Sequence, residues 1–202
     1  MVLTIDIGNT TIGIGGFQGN KLLFIEKISS RRPLSDAGYI EKLNMILNKH
    51  GLSAEAFEGS MISSVVPSVT AVFSSALETF LGRKPLILSH KLDLGYEICT
   101  DFPEKMGCDR LADIAGAISR YSLPFVTIDL GTATTFNVLD ENRRFLGGLI
   151  LPGVGTAHRA LLGKTAQLPK GDIHMPAHTI GANTQECITG GMLLGNACAI
   201  DG

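Results

Sequence analysis

With 202 residues the chain can form one large domain or two small ones, and either can bury a sizeable core. A hydrophobic share of 45% beside 18% charged residues is that of a soluble globular protein. The formal net charge of -2, the lack of any dense Lys/Arg block and the lack of a long apolar segment exclude general nucleic-acid binding and a membrane span, so neither nucleic acid nor membrane is an expected partner.

The first elements in chain order are strands. Val2-Leu3-Thr4-Ile5 is a β-branched apolar run that reads as a buried strand, and it leads into the turn Asp6-Ile7-Gly8-Asn9-Thr10. Thr11 to Phe17 predicts a second strand, Gln18-Gly19-Asn20-Lys21 a hairpin loop, and Leu22 to Ile25 a third strand, which makes a β-meander. Ile40, Leu43, Ile46 and Leu47 at helical spacing predict an amphipathic helix over 36–50, stopped before Gly51. Met61 to Val66 predicts a buried strand ended by Pro67, with a helix over 68–81 and a short strand from Pro85 to Leu88 after it. A further helix over 106–121 carries Leu111, Ile114, Ala115 and Ile118, with Gly107-Cys108-Asp109-Arg110 at its N-terminal end.

The pattern then restarts. Phe125-Val126-Thr127-Ile128 predicts a buried strand that enters a second turn, Asp129-Leu130-Gly131-Thr132, 123 residues after the first. Thr135 to Leu139, a polar loop over 140–144 and Phe145 to Ile150 repeat the meander, and helices are predicted over 153–162 and 184–200. The chain ends at Asp201-Gly202 inside the last predicted helix, whereas a natural boundary falls more often in a polar linker, so a truncated second half is expected. The expected division is 1–120 for the first half and 121–202 for the second.

A strand that ends in a carboxylate, then glycine, then a hydroxyl suits phosphate and metal. Glycine lets the backbone approach an anion, exposed N–H groups and the threonine hydroxyl donate hydrogen bonds, and the carboxylate holds a cation or its waters. One Asp-x-Gly is ordinary turn chemistry; two in the same order after similar strands predict a nucleotide held by the turns of duplicated halves. Asp109 beside Arg110 at a helix N-terminus suits an anion, and such a carboxylate can take a proton from a substrate hydroxyl; an N-cap Asp next to a surface Arg is the plainer reading. Cys99, Cys108, Cys187 and Cys198 contain no C-x-x-C pair, so reduced thiols in a cytoplasmic protein are expected. His50, His90, His158, His174 and His178 lack metal-ligand spacing and are expected on the surface or in loops.

Seven blocks occur in order: Asp6 to Thr10, Ser63-Ser64-Val65-Val66-Pro67, Gly107 to Arg110, Asp129 to Phe136, Gly147-Gly148 with Pro152-Gly153, Thr165-Ala166-Gln167-Leu168-Pro169, and Ile180-Gly181-Ala182-Asn183-Thr184. Over essentially its whole length the chain resembles type III pantothenate kinase, of the acetate and sugar kinase, heat-shock protein 70 and actin superfamily. The resemblance implies an α/β fold of two ribonuclease-H-like halves, mixed sheets flanked by helices, and phosphorylation of pantothenate by ATP at the start of coenzyme A biosynthesis.

The resemblance also distributes roles. Asp6, Ile7, Gly8, Asn9, Thr10, Thr11, Ile12 and Gly13 become the phosphate-binding segment, in which the turn chemistry already makes Asp6 a ligand of Mg²⁺, directly or through water, and Thr132 becomes a second ATP contact. Asp109 becomes the general base, Gly107, Cys108, Asp109, Arg110 and Thr184 the pantothenate contacts, and Asp129 the ligand of a monovalent cation, K⁺ or NH₄⁺. A homodimer is implied as well. Cys108 stands where the family has alanine, Thr100 where many members carry tyrosine and Asn137 where aspartate is frequent; a further Thr-Gly-Gly nucleotide segment is missing. The alternative function is that of a noncatalytic relative acting as a transcription accessory factor, and a third reading keeps the superfamily with phosphohydrolase or carboxylate-kinase chemistry.

Overall fold

The computed structural model describes residues 1–165 and 171–202. In chain order its elements are β1 (Val2–Ile7), β2 (Thr11–Gln18), β3 (Lys21–Ser29), α1 (Asp36–Lys49), β4 (Gly59–Ser64), α2 (Pro67–Leu81), β5 (Leu86–Ile87), β6 (Glu97–Ile98) and α3 (Cys108–Ile118). There follow β7 (Phe125–Leu130), β8 (Ala133–Leu139), β9 (Arg144–Pro152), α4 (Val154–Lys164) and α5 (Thr184–Asp201). No helix among the described residues is long and apolar enough to cross a membrane.

The first sheet has the order β3-β2-β1-β4-β5. β2 runs antiparallel to β1 and β3, while β4 is parallel to β1 and β5 to β4. A meander continued by parallel strands, with only its second strand reversed, is the ribonuclease-H-like arrangement. Leu3, Ile5 and Ile7 alternate onto the buried face of β1, as the two-residue period of a strand requires. Tyr39, Leu43, Ile46 and Leu47 of α1 and Val69, Phe73, Ala76 and Leu77 of α2 recur at helical spacing and join the same core. The two helices meet through Tyr39 and Phe73, whose ring centroids are 4.5 Å apart. Ser35 caps α1, its hydroxyl accepting from the Gly38 N–H at 3.3 Å.

β4 stops two residues short of the expected end, where the chain turns into the helix. Pro67 occupies the first turn of α2, where its missing N–H costs nothing, and Val66 becomes the N-cap. Val65 leaves the strand with its N–H donating to Ile7 O at 3.0 Å.

The second sheet has the order β6-β9-β8-β7, so the β1-β2-β3 meander recurs as β7-β8-β9. β6 was not legible as a strand. Two residues carry little pattern, and only their pairing with β9, Glu97 opposite Arg144 and Ile98 opposite Phe145, makes them one. Ile114 of α3, Leu139 and Phe145 form a separate small core there, flanked by Tyr96, Ile98 and Met106.

The described chain divides into two compact units, Met1–Phe125 with Val138–Gly147, and Val126–Asn137 with Gly148–Gly202. The fold is α/β, with mixed sheets flanked by helices and the ribonuclease-H-like meander present twice.

Candidate active site

In the first unit, the Asp6-to-Thr10 turn joins the antiparallel strands β1 and β2, and Gly8 N–H closes it on Thr11 O at 2.9 Å. Asp6, the last residue but one of β1, is exposed. Its Oδ1 accepts from the hydroxyl of Ser63, at 3.2 Å, because the parallel register sets Asp6 opposite Ser63 of β4. Ser63 itself is buried.

The Gly107-to-Arg110 block forms the start of α3, with Gly107 as N-cap. Asp109 does not cap the helix from outside; it lies within the first turn, and its Oδ1 accepts from the Arg110 N–H at 2.8 Å. A carboxylate in the first turn of a helix faces the positive end of the helix dipole. A Cβ at position 107 would collide with Asp109 Oδ1, so glycine is what admits the carboxylate at this place. The place such a Cβ would take lies 3.7 Å from the Val65 side chain, and the Val65 N–H donates to Ile7 O, so Val65 neighbours both the end of β1 and the start of α3. The thiol of Cys108 donates to Leu88 O at 3.1 Å.

Arg110 is half-buried, and its guanidinium carbon stands 5.3 Å from the centroid of the Phe145 ring. Burial draws its pKa below the ordinary guanidinium value, against the opposing charges of Asp109 and Asp113. The phenol of Tyr96 donates to Leu111 O at 3.1 Å, and burial pushes its pKa up.

In the second unit, Asp129 near the end of β7 and Gly131 and Thr132 between β7 and β8 are exposed, and Gly131 N–H closes the turn on Ala133 O at 3.0 Å. The start of α4 is built against this turn. Thr132 O accepts from Gly153 N at 3.1 Å and from the Thr156 hydroxyl at 2.7 Å. A Cβ at Gly153 would collide with Gly131 O, so glycine is what lets the chain after β9 approach this turn. Thr134 and Thr135 are buried, and Asn137 Nδ2 donates to Thr127 Oγ1 at 3.0 Å, so these residues pack behind the turn.

Thr184 is the exposed first residue of α5, after the N-cap Asn183, whose side chain accepts from Glu186 N at 2.9 Å. Glu186 accepts in return from Ala182 N at 3.0 Å, and that bond, opposed by burial, holds its carboxyl below the usual range. Of the Thr165-to-Pro169 block, positions 166–169 lie outside the described residues.

His158 departs from the surface or loop role expected of the histidines. It is buried in α4, its Nε2 meets no partner among the described residues, and it lines an open cleft with Arg159, Leu162, Thr165 and Asp172. Helical spacing gave no signal for it, since one polar residue in a helix is usually placed toward solvent. Among the described residues no three His, Cys, Asp or Glu side chains gather into a metal-binding cluster.

Comparison with known proteins follows the same blocks. The family model of type III pantothenate kinase matches residues 2–202. A type III pantothenate kinase of Bifidobacterium animalis subsp. lactis is 39% identical over 192 residues, which are 95% of this chain and 76% of that protein. One from Dictyoglomus turgidum is 36% identical over 202 residues, covering 100% of this chain and 79% of that one. Among solved structures, a conserved Campylobacter jejuni protein assigned to the Baf family of transcriptional activators superposes with a TM-score of 0.57 at 17% identity, over 98% of this chain and 77% of its own. That likeness speaks of fold alone. The family match from end to end, with relatives above 30% identity along the same stretch, shows that the chain belongs to the type III pantothenate kinase family.

Proposed function

We propose that this chain transfers the γ-phosphoryl group of ATP to the primary hydroxyl of pantothenate, giving 4'-phosphopantothenate and ADP, the first step of coenzyme A biosynthesis. Family membership supports the substrates. The observation that carries the chemistry is the Asp109 carboxylate, seated over Gly107 and held by the Arg110 N–H at the start of α3.

Asp109 acts as general base. As the acceptor oxygen attacks the γ-phosphorus, the proton of its hydroxyl passes to the Asp109 carboxylate, a P–O bond forms to the acceptor and the bond to the β-phosphate oxygen breaks. Gly107, Cys108 and Arg110 hold the acceptor, the guanidinium serving as counter-charge to its carboxylate. Thr184 is a further acceptor contact. The segment Asp6, Ile7, Gly8, Asn9, Thr10, Thr11, Ile12 and Gly13 holds ATP phosphates, and Thr132 makes a second nucleotide contact.

The donor sets fit hard cations. Asp6 offers an exposed carboxylate near the end of β1, where it also accepts from the Ser63 hydroxyl. A solvent-exposed carboxylate supports binding of Mg²⁺, which keeps waters and takes one or two carboxylates plus substrate phosphates. Asp129, exposed in the second turn, is the ligand we propose for K⁺ or NH₄⁺. Bound cations would offset the charge spreading over the transferred group. Three carboxylates at Asp6, Asp109 and Asp129 favour an enzyme over a noncatalytic relative, which has no need of them. A cytoplasmic homodimer completes the proposal.

The test is phosphate transfer from ATP with pantothenate, with pantetheine and with no acceptor, in the wild type and in Asp109→Asn. Asp109→Asn is expected to lower kcat by about 10²–10⁴-fold, the usual worth of a general base, while the unfolding temperature stays near that of the wild type. A folded Asp109→Asn protein with wild-type turnover would sink the assignment.

A further inference from the structure

Phe145 belongs to the small core with Ile114 and Leu139 and has no exposed surface. Its ring nevertheless lies within reach of a charge, the Arg110 guanidinium, at 5.3 Å from the ring centroid. β9 is held firmly at this point. Ile98 pairs with Phe145 in register, and the Cys99 N–H donates to Phe145 O at 2.9 Å. One residue earlier, Arg144 is tied to Asp140 by side-chain bonds of 2.8 Å and 2.7 Å. On the other side, the Tyr96 phenol fixes the α3 backbone at Leu111, next to Arg110. Ring and guanidinium therefore each sit on anchored backbone.

We infer that Phe145 is a positioning residue for the acceptor site: its ring orients the Arg110 guanidinium and thereby the direction in which that group presents its N–H donors. The inference rests on the reading of Arg110 as an acceptor contact. The aromatic face carries negative quadrupole potential and attracts a cation, while a planar guanidinium keeps its fork of donors only if its plane is held. An aliphatic side chain fills the core without supplying that potential. The guanidinium would then sample more orientations, and the loss would fall on acceptor binding and leave nucleotide binding untouched.

Steady-state kinetics on the full chain, with pantothenate and ATP varied separately, provide the test. Phe145→Leu and Phe145→Met are expected to raise KM for pantothenate about threefold to tenfold, the range of a partly desolvated cation–π contact, with KM for ATP and kcat unchanged. Phe145→Tyr, which keeps the ring, is expected to retain the wild-type KM. Arg110→Gln should raise the same KM, and in that background Phe145→Leu should add nothing, the signature of two residues acting through one contact. If Arg110→Gln raises KM for pantothenate while folded Phe145→Leu and Phe145→Met do not, the positioning role is wrong and the acceptor reading stands. Equal rises in both KM values would reduce Phe145 to a core residue and overturn the proposal. An unchanged KM in Arg110→Gln would remove the acceptor reading and the inference together.

Discussion

A single absent methyl group shapes the proposed catalytic residue. Gly107 has an ordinary φ of -62°, so the backbone would accept alanine there, but a Cβ would meet Asp109 Oδ1. The atom in the way is the end of a side chain able to rotate, so the expected cost falls on the position of the carboxylate. Gly107→Ala is therefore expected to leave the unfolding temperature close to wild type and to lower kcat by about a hundredfold, as misplacing a reacting group by about 1 Å can do. Circular dichroism melting beside turnover checks both halves of that statement. The Asp-Gly-Thr turns stood out because local order of residues suits them to phosphate and cations, and the Gly-Cys-Asp-Arg run stood out through the family resemblance. Ser63, Val65 and Phe145 were not legible as neighbours of that chemistry, since each meets it through strand register or core packing. His158 failed for the same reason, its burial being set by what surrounds α4.

At the scale of elements, the β8–β9 connection depends on one side chain. The Asp140 carboxylate accepts from Asn142 N at 2.9 Å, from Arg144 N at 2.8 Å and from the Arg144 guanidinium, across a turn in which Arg143 takes a φ of 60°. Burial alone would raise its pKa; the bonds from Arg144 and Asn142 outweigh it and hold the carboxyl below the ordinary aspartate value. A depressed folded-state pKa gives stability that is full above the ordinary value, near 3.8, and is lost as pH falls through the folded one. Asp140→Asn is expected to melt lower than wild type at pH 7 and to converge with it in acid; a gap of constant size from pH 7 down to strongly acid pH would refute the linkage. The sequence reads 140–144 as a polar loop, which locates the turn but not the carboxylate that organises it. The long helices and strands were clearer, because Leu43, Ile46 and Leu47, or Leu3 and Ile5, repeat the period of the element they build. β6 had no period to repeat.

Across the whole molecule the buried apolar residues are unevenly shared. Sixteen form one continuous cluster among β1 to β4, α1 and α2, whereas in the second unit the described apolar residues that are fully or nearly buried are Phe136 and Ile188. Val126 and Leu130 of β7 are 52% and 64% exposed. Amide exchange should thus be slowest in β1, β2 and β4 and much faster in β7 and α5, and equal protection in the two sets would contradict the distribution of core. The duplication was visible in the sequence, since two strand-turn-strand patterns with the same residue order need no tertiary contact to be recognised. The sequence by itself determined the two strand meanders, the helix faces and the residue types at each turn, because these depend on periods of two or 3.6 residues and on local turn chemistry. Only the tertiary structure decided that Ser63 bonds Asp6, that Val65 neighbours both β1 and the start of α3, that Asp109 rests over Gly107 and that the Phe145 ring lies near the Arg110 guanidinium. Such contacts arise where parallel strands and packed helices bring distant residues together, and no local period records which side chains will meet there.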